Sequence, residues 1–360
     1  MAHGRPSVIV DPQLLEPFWL SATLSGESLF FVDRGDGVAT ATLLFDRAER
    51  VSLTSATGDV EFEAGRDYTV DGRAGVVSRT PASRIPCSTL EELYPADDPF
   101  VLVGDEDDFH RRQTSATYVH RQGDWHGYVP RLAAIELPRT LQRLAASQPL
   151  TVCITGDSIS EGYNASGVTG ALPRQPPYGA LVAVGLERAS GSRVTLQNFA
   201  TSGWTADDGV ADVTRVAEAR PDLVIVAFGM NDAGYAEAPY FAANIEGIMN
   251  GVRVGSPDAE FVLVSPMLPN PRWAYPVTER FGAYRDALAR LCGPGAALAD
   301  LTSLWSDVLA RKSVHDLSGN GINHPNDFGH RLYAQVILAL MVEPSSWHTP
   351  PLSSGGGRAA

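Results

Sequence analysis

The chain has 360 residues, 44% hydrophobic and 19% charged, enough apolar material to bury a sizeable core and to exclude global disorder. Its 28 Lys and Arg against 42 Asp and Glu leave a formal charge of −14, which speaks against a nucleic acid or an anionic membrane as main partner, since both need clustered cations. Cys87, Cys153 and Cys292 are isolated, so neither a disulfide framework nor a thiolate zinc site is indicated.

The opening Met1–Pro6 lacks the apolar stretch of a secretory signal. The longest late apolar run, Leu332 to Val342, is interrupted by Gln335 and is too short to span a bilayer. The expectation is a soluble, reduced, cytoplasmic protein without a membrane partner. At roughly 150 residues per domain, two domains are expected.

From about Phe18 to Thr80, apolar and polar residues alternate in short runs: Ser28–Val32, Ala39–Phe45, Arg50–Thr54 and Val60–Glu63. Turn formers separate them at Asp33–Gly37, Thr57–Asp59 and Asp71–Gly72. This pattern predicts antiparallel strands in a small β-sandwich or jelly roll. Thr80 to about Leu137 is rich in Pro and Asp and reads as an irregular connection. A helix is expected over Arg139–Ala146. Continuous apolar strands then follow at Leu150–Thr155, Val194–Phe199, Asp222–Phe228, Phe261–Val264 and Ala297–Asp300. Helical stretches lie between and after them: Tyr178–Ala189, Asp207–Ala219, Tyr240–Val252, Thr278–Leu291 and Asp327–Met341. Strands apolar on both faces and separated by helices predict a parallel α/β sheet. The expected organisation is an antiparallel β-sandwich over 1–125, a linker and lead-in helix over 126–147, an α/β domain over 148–345 and a flexible tail over 346–360.

Ligands of such a sheet sit at its carboxyl edge, and four strand-to-helix turns there stand out. Gly156-Asp-Ser158 would expose a hydroxyl at a helix N-terminus, where amides favour negative charge; turns also use these residues freely. Gly203, after the strand ending at Phe199, would let backbone N–H approach a ligand, or be an ordinary turn glycine. Asn231, in Gly229-Met-Asn231-Asp232, offers uncharged amide donors, or an Asx-turn cap. His324, just before the last helix, could take and return a proton, or serve packing; Pro325 pins its backbone.

As a set, in this order, these turns resemble the SGNH hydrolases, also called GDSL esterases. The resemblance covers roughly residues 148–342 and implies a flavodoxin-like parallel sheet without cofactor or metal. It implies Ser158 as nucleophile, His324 as general base, and an oxyanion hole formed by the N–H of Ser158, the N–H of Gly203 and the amide of Asn231. The family usually has Asp three residues before the His; here that position is Gly321, with Asn320 one further back. Asp316, Asp300, Asn320 or a backbone carbonyl remain open for orienting the imidazole.

A β-sandwich ahead of such a domain is similar to two-domain carbohydrate esterases. The implied function is hydrolysis of small O-acyl esters, foremost O-acetyl, of a carbohydrate or glycoside through a Ser158 acyl-enzyme. An acyltransferase or a natural-product or thioester deacylase is the alternative. The implied partner is thus a small-molecule or oligosaccharide ester. Trp204, and with less weight Trp273 and Tyr275, could stack on sugar or pack in the core. Glu161-Gly-Tyr-Asn164 could line the acyl pocket, giving Asn164 as a substrate contact, or cap the next helix. Asp157 is expected to organise the nucleophile turn, and His330 to pack or hydrogen-bond. Asp105–Asp108 reads as a solvated acidic turn, and the nearby His120 and His126 lack a third ligand.

Overall fold

The computed structural model describes residues 11–94 and 106–348; of the tail expected over 346–360, residues 346–348 belong instead to a short 3-10 helix (Pro344–His348), and the rest, like Asp105, lies outside the described residues. In the N-terminal region two sheets face each other. One has the order β1 (Thr23–Phe30), β9 (Gln113–Val119), β4 (Glu49–Ser55), β5 (Glu61–Phe62), all antiparallel. The other has the order β6 (Tyr68–Asp71), β7 (Val76–Arg79), β3 (Thr40–Thr42), β2 (Val32–Asp33), β8 (Ser88–Thr89), with only β2 and β8 parallel. Helices α1 (Leu90–Leu93) and α2 (Glu106–Arg111) lie in the connection before β9.

Two expectations change here. The run Ser28–Val32 is not one strand: the chain leaves the first sheet after Phe30 and enters the second at Val32. Leu29, Phe30, Phe31 and Val32 are all buried, so their burial follows the crossing between sheets rather than a strict alternation. The supposedly irregular stretch from Thr80 contains β9, an inner strand paired to both β1 and β4.

After α3 (Pro138–Ala145) the second texture holds. Five parallel strands, β10 (Leu150–Gly156), β11 (Val194–Asn198), β12 (Leu223–Ala227), β13 (Glu260–Val264) and β14 (Ala296–Ala299), stand in the order β11-β10-β12-β13-β14. β12 and β13 are buried at every position, as strands covered on both faces must be. The short helices α4 (Ser158–Glu161) and α5 (Ser166–Thr169) precede α6 (Tyr178–Ser190), which packs with α3 and with the last helix, α13 (Asp327–Ala339). The expected helix over Asp207–Ala219 is two: α7 (Ala206–Ala211) and α8 (Val213–Glu218), broken at Asp212. Both pack on α9 (Ala238–Gly255), as does α10 (Glu279–Leu291). α11 (Leu301–Leu309) and the single turn α12 (Val314–Leu317) lie between β14 and α13. With β10 first in sequence and flanked by β11 and β12, connections leave it toward both sides. The crevice this opens at the carboxyl ends is where ligands of doubly wound sheets sit.

One continuous apolar core runs through both regions. They are also joined by charge. Lys312, between α11 and α12, extends into the sandwich; its Nζ lies 2.5 Å from Glu27 Oε1, with both side chains fully buried. The same Nζ donates to the Thr42 carbonyl at 2.6 Å, and the Tyr118 hydroxyl donates to Glu27 Oε2 at 2.6 Å. On α13, the buried Arg331 guanidinium donates to the carbonyls of Ser25 and Gly26.

Candidate active site

The first of the four turns starts where β10 ends. Gly156 has no positive φ; it is needed because a Cβ there would meet Ser160 Oγ at 2.4 Å and the Ala227 carbonyl of β12 at 2.5 Å. Asp157 caps α4, its Oδ1 accepting from Ile159 N at 3.0 Å. Burial pushes its carboxyl up to about 7. Ser158 follows as the first residue of α4, with Oγ 2.9 Å from His324 Nε2.

The second turn continues β11 past its end. Phe199 N donates to the Ile154 carbonyl at 2.8 Å and Thr201 N to the Gly156 carbonyl at 3.1 Å, so this segment runs alongside β10. Glu161 Oε2 accepts from Ser202 N at 2.8 Å, tying the turn to α4. Gly203 has φ of +80°, a region that side chains other than Gly, Asn and Asp rarely adopt, and open space where a Cβ would stand. Among the described residues neither the Ser158 N–H nor the Gly203 N–H has a hydrogen-bond acceptor.

The third turn, after β12, brings Asn231 beside the second: its Nδ2 donates to the Trp204 carbonyl at 2.8 Å. One N–H of that amide is thereby fixed and the other left over. Asp232 is the internal clamp. Its Oδ1 accepts from Ala206 N at 3.0 Å and its Oδ2 from Gly229 N at 3.1 Å; burial raises its carboxyl to about 6.

His324 sits in a loop tied at many points. Asn270 N donates to the Ile322 carbonyl at 2.7 Å, Asn270 Nδ2 to that of Gly321 at 2.8 Å, and Gly319 N to that of His324 itself at 2.9 Å. Partial burial pushes the imidazole down to about 4, so it is the neutral form that faces Ser158. A neutral imidazole beside a hydroxyl at 2.9 Å, with two unspent amide N–H groups in the neighbouring turns, is an arrangement able to deprotonate an alcohol and hold a developing oxyanion.

The acidic residues considered as His324 partners are occupied elsewhere. Asp316 accepts from Phe30 N at 2.7 Å and Ser313 N at 2.8 Å; Asp300 caps α11, accepting from Ser303 N at 2.9 Å. At the imidazole Nδ1 stand Asn320 Nδ2 and Asn164 Oδ1, each at 3.1 Å. Asn164, expected as a substrate contact, is only 5% exposed and has its amide committed between His324 and the Gly319 carbonyl. The reason is local: α4 ends at Gly162, and the chain turns back with Asn164 at φ +63°, aiming its side chain inward.

Trp204 is half-buried, with the Arg215 guanidinium 5.9 Å from its ring centre. Trp273 and Tyr275 stack at 5.3 Å, and the Tyr275 hydroxyl donates to the Asn231 carbonyl at 3.0 Å. His330 is internal: its Nδ1 accepts from Tyr178 N at 3.4 Å and its Nε2 lies 3.1 Å from the Tyr163 carbonyl. His120 stacks on Phe45 at 3.7 Å. Among the described residues no group of three or more His, Cys, Asp or Glu could hold a metal ion, and no helix is long and apolar enough to cross a membrane.

Against this geometry stand the comparisons. A family model of the GDSL-like lipase/acylhydrolase family matches residues 154–332. Among solved structures, the chain is similar to a two-domain esterase (CEX) active on acetylated mannans, at 21% identity over 64% of this chain and a TM-score of 0.48. It spans 58% of that esterase's length. The lipase Lip_vut3 from a goat rumen metagenome matches at 16% identity over 54% of this chain and 99% of its own, with a TM-score of 0.44. A lipase/acylhydrolase from Enterococcus faecalis matches at 20% identity over 52% of this chain and 93% of its own, with a TM-score of 0.42. No curated protein sequence is significantly similar to the chain. The parallel-sheet region, with its four turns, is a hydrolase domain of the GDSL-like lipase/acylhydrolase family.

Proposed function

We propose that the protein is a serine esterase that removes small acyl groups, foremost acetyl, from a carbohydrate or glycoside. The observation that carries the chemistry is the 2.9 Å contact between Ser158 Oγ and His324 Nε2. Ser158 Oγ attacks the ester carbonyl carbon while its proton passes to His324 Nε2. The tetrahedral oxyanion is held by the N–H groups of Ser158 and Gly203 and the free amide N–H of Asn231. His324 returns the proton to the departing alcohol, leaving an acyl-enzyme. Water, deprotonated by the same nitrogen, then releases the acid and restores the serine.

The alcohol side of the substrate is read from the aromatics around Asn231. Asn231 is bonded to the Trp204 carbonyl through its amide and to the Tyr275 hydroxyl through its own carbonyl; Tyr275 stacks on Trp273 and is 49% exposed. Such faces suit the C–H surfaces of a sugar ring. The test is a panel of acetylated sugars and p-nitrophenyl esters of rising chain length, with the Ser158→Ala protein as control. Fast release from acetyl esters, slow release from long chains and covalent capture of Ser158 by a phosphonate are expected. Equal turnover by the Ser158→Ala protein overturns the reading. Transfer of the acyl group to an added alcohol in preference to water converts it to an acyltransferase.

A further inference from the structure

We propose that Asn164 is the positioning residue of His324, so that the proton relay of this site ends on a neutral amide from the nucleophile's side of the domain. The inference rests on the hydrolytic reading above for its consequence in rate, but not for its geometry.

To accept the Ser158 proton, His324 Nε2 must carry a lone pair, and the ring proton must therefore sit on Nδ1. Two amides reach that nitrogen at 3.1 Å, and they ask for opposite things. Asn320 presents Nδ2, a donor. Its orientation is fixed because its Oδ1 accepts from the N–H groups of Ile322, Asn323 and His324 at 2.9, 3.0 and 3.2 Å. A donor there favours a bare Nδ1 and the wrong tautomer. Asn164 presents Oδ1, an acceptor, because its Nδ2 donates to the Gly319 carbonyl at 3.3 Å.

The conflict resolves through what each amide can do when refused. With the proton on Nδ1, Asn320 still donates to Asn323 Oδ1 at 3.1 Å, so nothing is lost there. With the proton on Nε2, the buried Asn164 Oδ1 would face a lone pair, and it has no other donor among the described residues. A buried acceptor left unmet is the costlier state. The productive tautomer therefore follows from Asn164. The loop carrying His324 is built around this side chain: a Cβ on Gly319 would stand 2.4 Å from Asn164 Cβ, so only glycine lets the loop close over it. The titratable groups that face the imidazole are Tyr163, its ring 5.2 Å away, and His330.

The test reads the imidazole directly. In full-length protein labelled with 15N-histidine, wild-type His324 is expected to show the Nδ1–H tautomer at neutral pH. Asn164→Ala is expected to shift it toward Nε2–H, and kcat to fall between about 10²- and 10⁴-fold with KM changed by less than about threefold. Asn164→Asp, the same shape with a charge, is expected to raise the His324 titration midpoint by about 1–3 pH units. A His324 that keeps its Nδ1 proton in Asn164→Ala overturns the proposal, whatever the rate does. If that variant does not fold, an unmoved midpoint in Asn164→Asp overturns it. Wild-type protein that cleaves no ester defeats the hydrolytic reading alone, since tautomer and titration are read without substrate.

Discussion

The sandwich and the edge of the parallel sheet treat buried polarity in opposite ways. In the sandwich, charges are closed on one another: Lys312 meets Glu27 and the Thr42 carbonyl, and Tyr118 completes Glu27. At the sheet edge, groups are left incomplete. The N–H groups of Ser158 and Gly203 have no acceptor among the described residues, and His324 keeps a neutral nitrogen against a hydroxyl. The first arrangement joins two regions. The second leaves donors open at the edge of the sheet. Substitutions should therefore separate cleanly into those that change stability and those that change rate, and four experiments press on that separation.

The largest effect is expected at Ser158. Ser158→Ala should lower ester turnover by about 10⁴-fold or more while thermal unfolding stays close to wild type. A large fall in melting temperature would break the comparison, because it would make the open edge structural. Lys312→Met should do the reverse. Leaving Glu27 without its cation in the interior costs about 3–5 kcal/mol, read by denaturant unfolding, with kcat per folded molecule unchanged. Loss of rate in the folded fraction would mean that the joint also positions the site. Asn231→Ala should lower kcat by about 10²- to 10³-fold with little change in KM, as for removal of one oxyanion donor. A change confined to KM would assign Asn231 to ground-state binding instead.

The smallest expected effect is the pH dependence. In the proposed mechanism His324 acts as base only while neutral, and burial has moved its midpoint down to about 4. Since the base form exists above that midpoint, kcat/KM should hold through pH 5 and fall only as the pH drops through about 4. An acid limb near the ordinary histidine value of about 6.5 would show that the imidazole is more exposed to water than its surroundings indicate.

Much of the parallel sheet and its edge was legible in the sequence, because its strands, β11 (Val-Thr-Leu-Gln-Asn) excepted, are largely apolar runs and each turn announces itself with glycine or a small polar residue. The family match over residues 154–332 agrees with the stretch those turns delimit. What escaped is polarity satisfied at long range. β9 reads Gln-Thr-Ser-Ala-Thr-Tyr-Val, yet Gln113 and Thr114 are buried, with Gln113 Nε2 donating to the carbonyls of His315 and Ser318 at 3.0 and 2.7 Å. No local window contains those partners. Asn164 escaped for the same reason: its identity was noticed, but its orientation depends on φ +63° and on a glycine 155 positions away. The break at Asp212 is of another kind, a local interruption inside an otherwise helical pattern.

The Lys312 contact also sets a timetable for synthesis. Thr42 and the lysine that reaches its carbonyl are 270 positions apart. At about 5–20 residues added per second, the ribosome needs roughly a quarter of a minute to a minute to cover that distance. Throughout that interval the emerging sandwich holds Glu27 without the cation it meets in the finished fold. A circular permutant that brings residues 301–317 out ahead of the sandwich would shorten the wait.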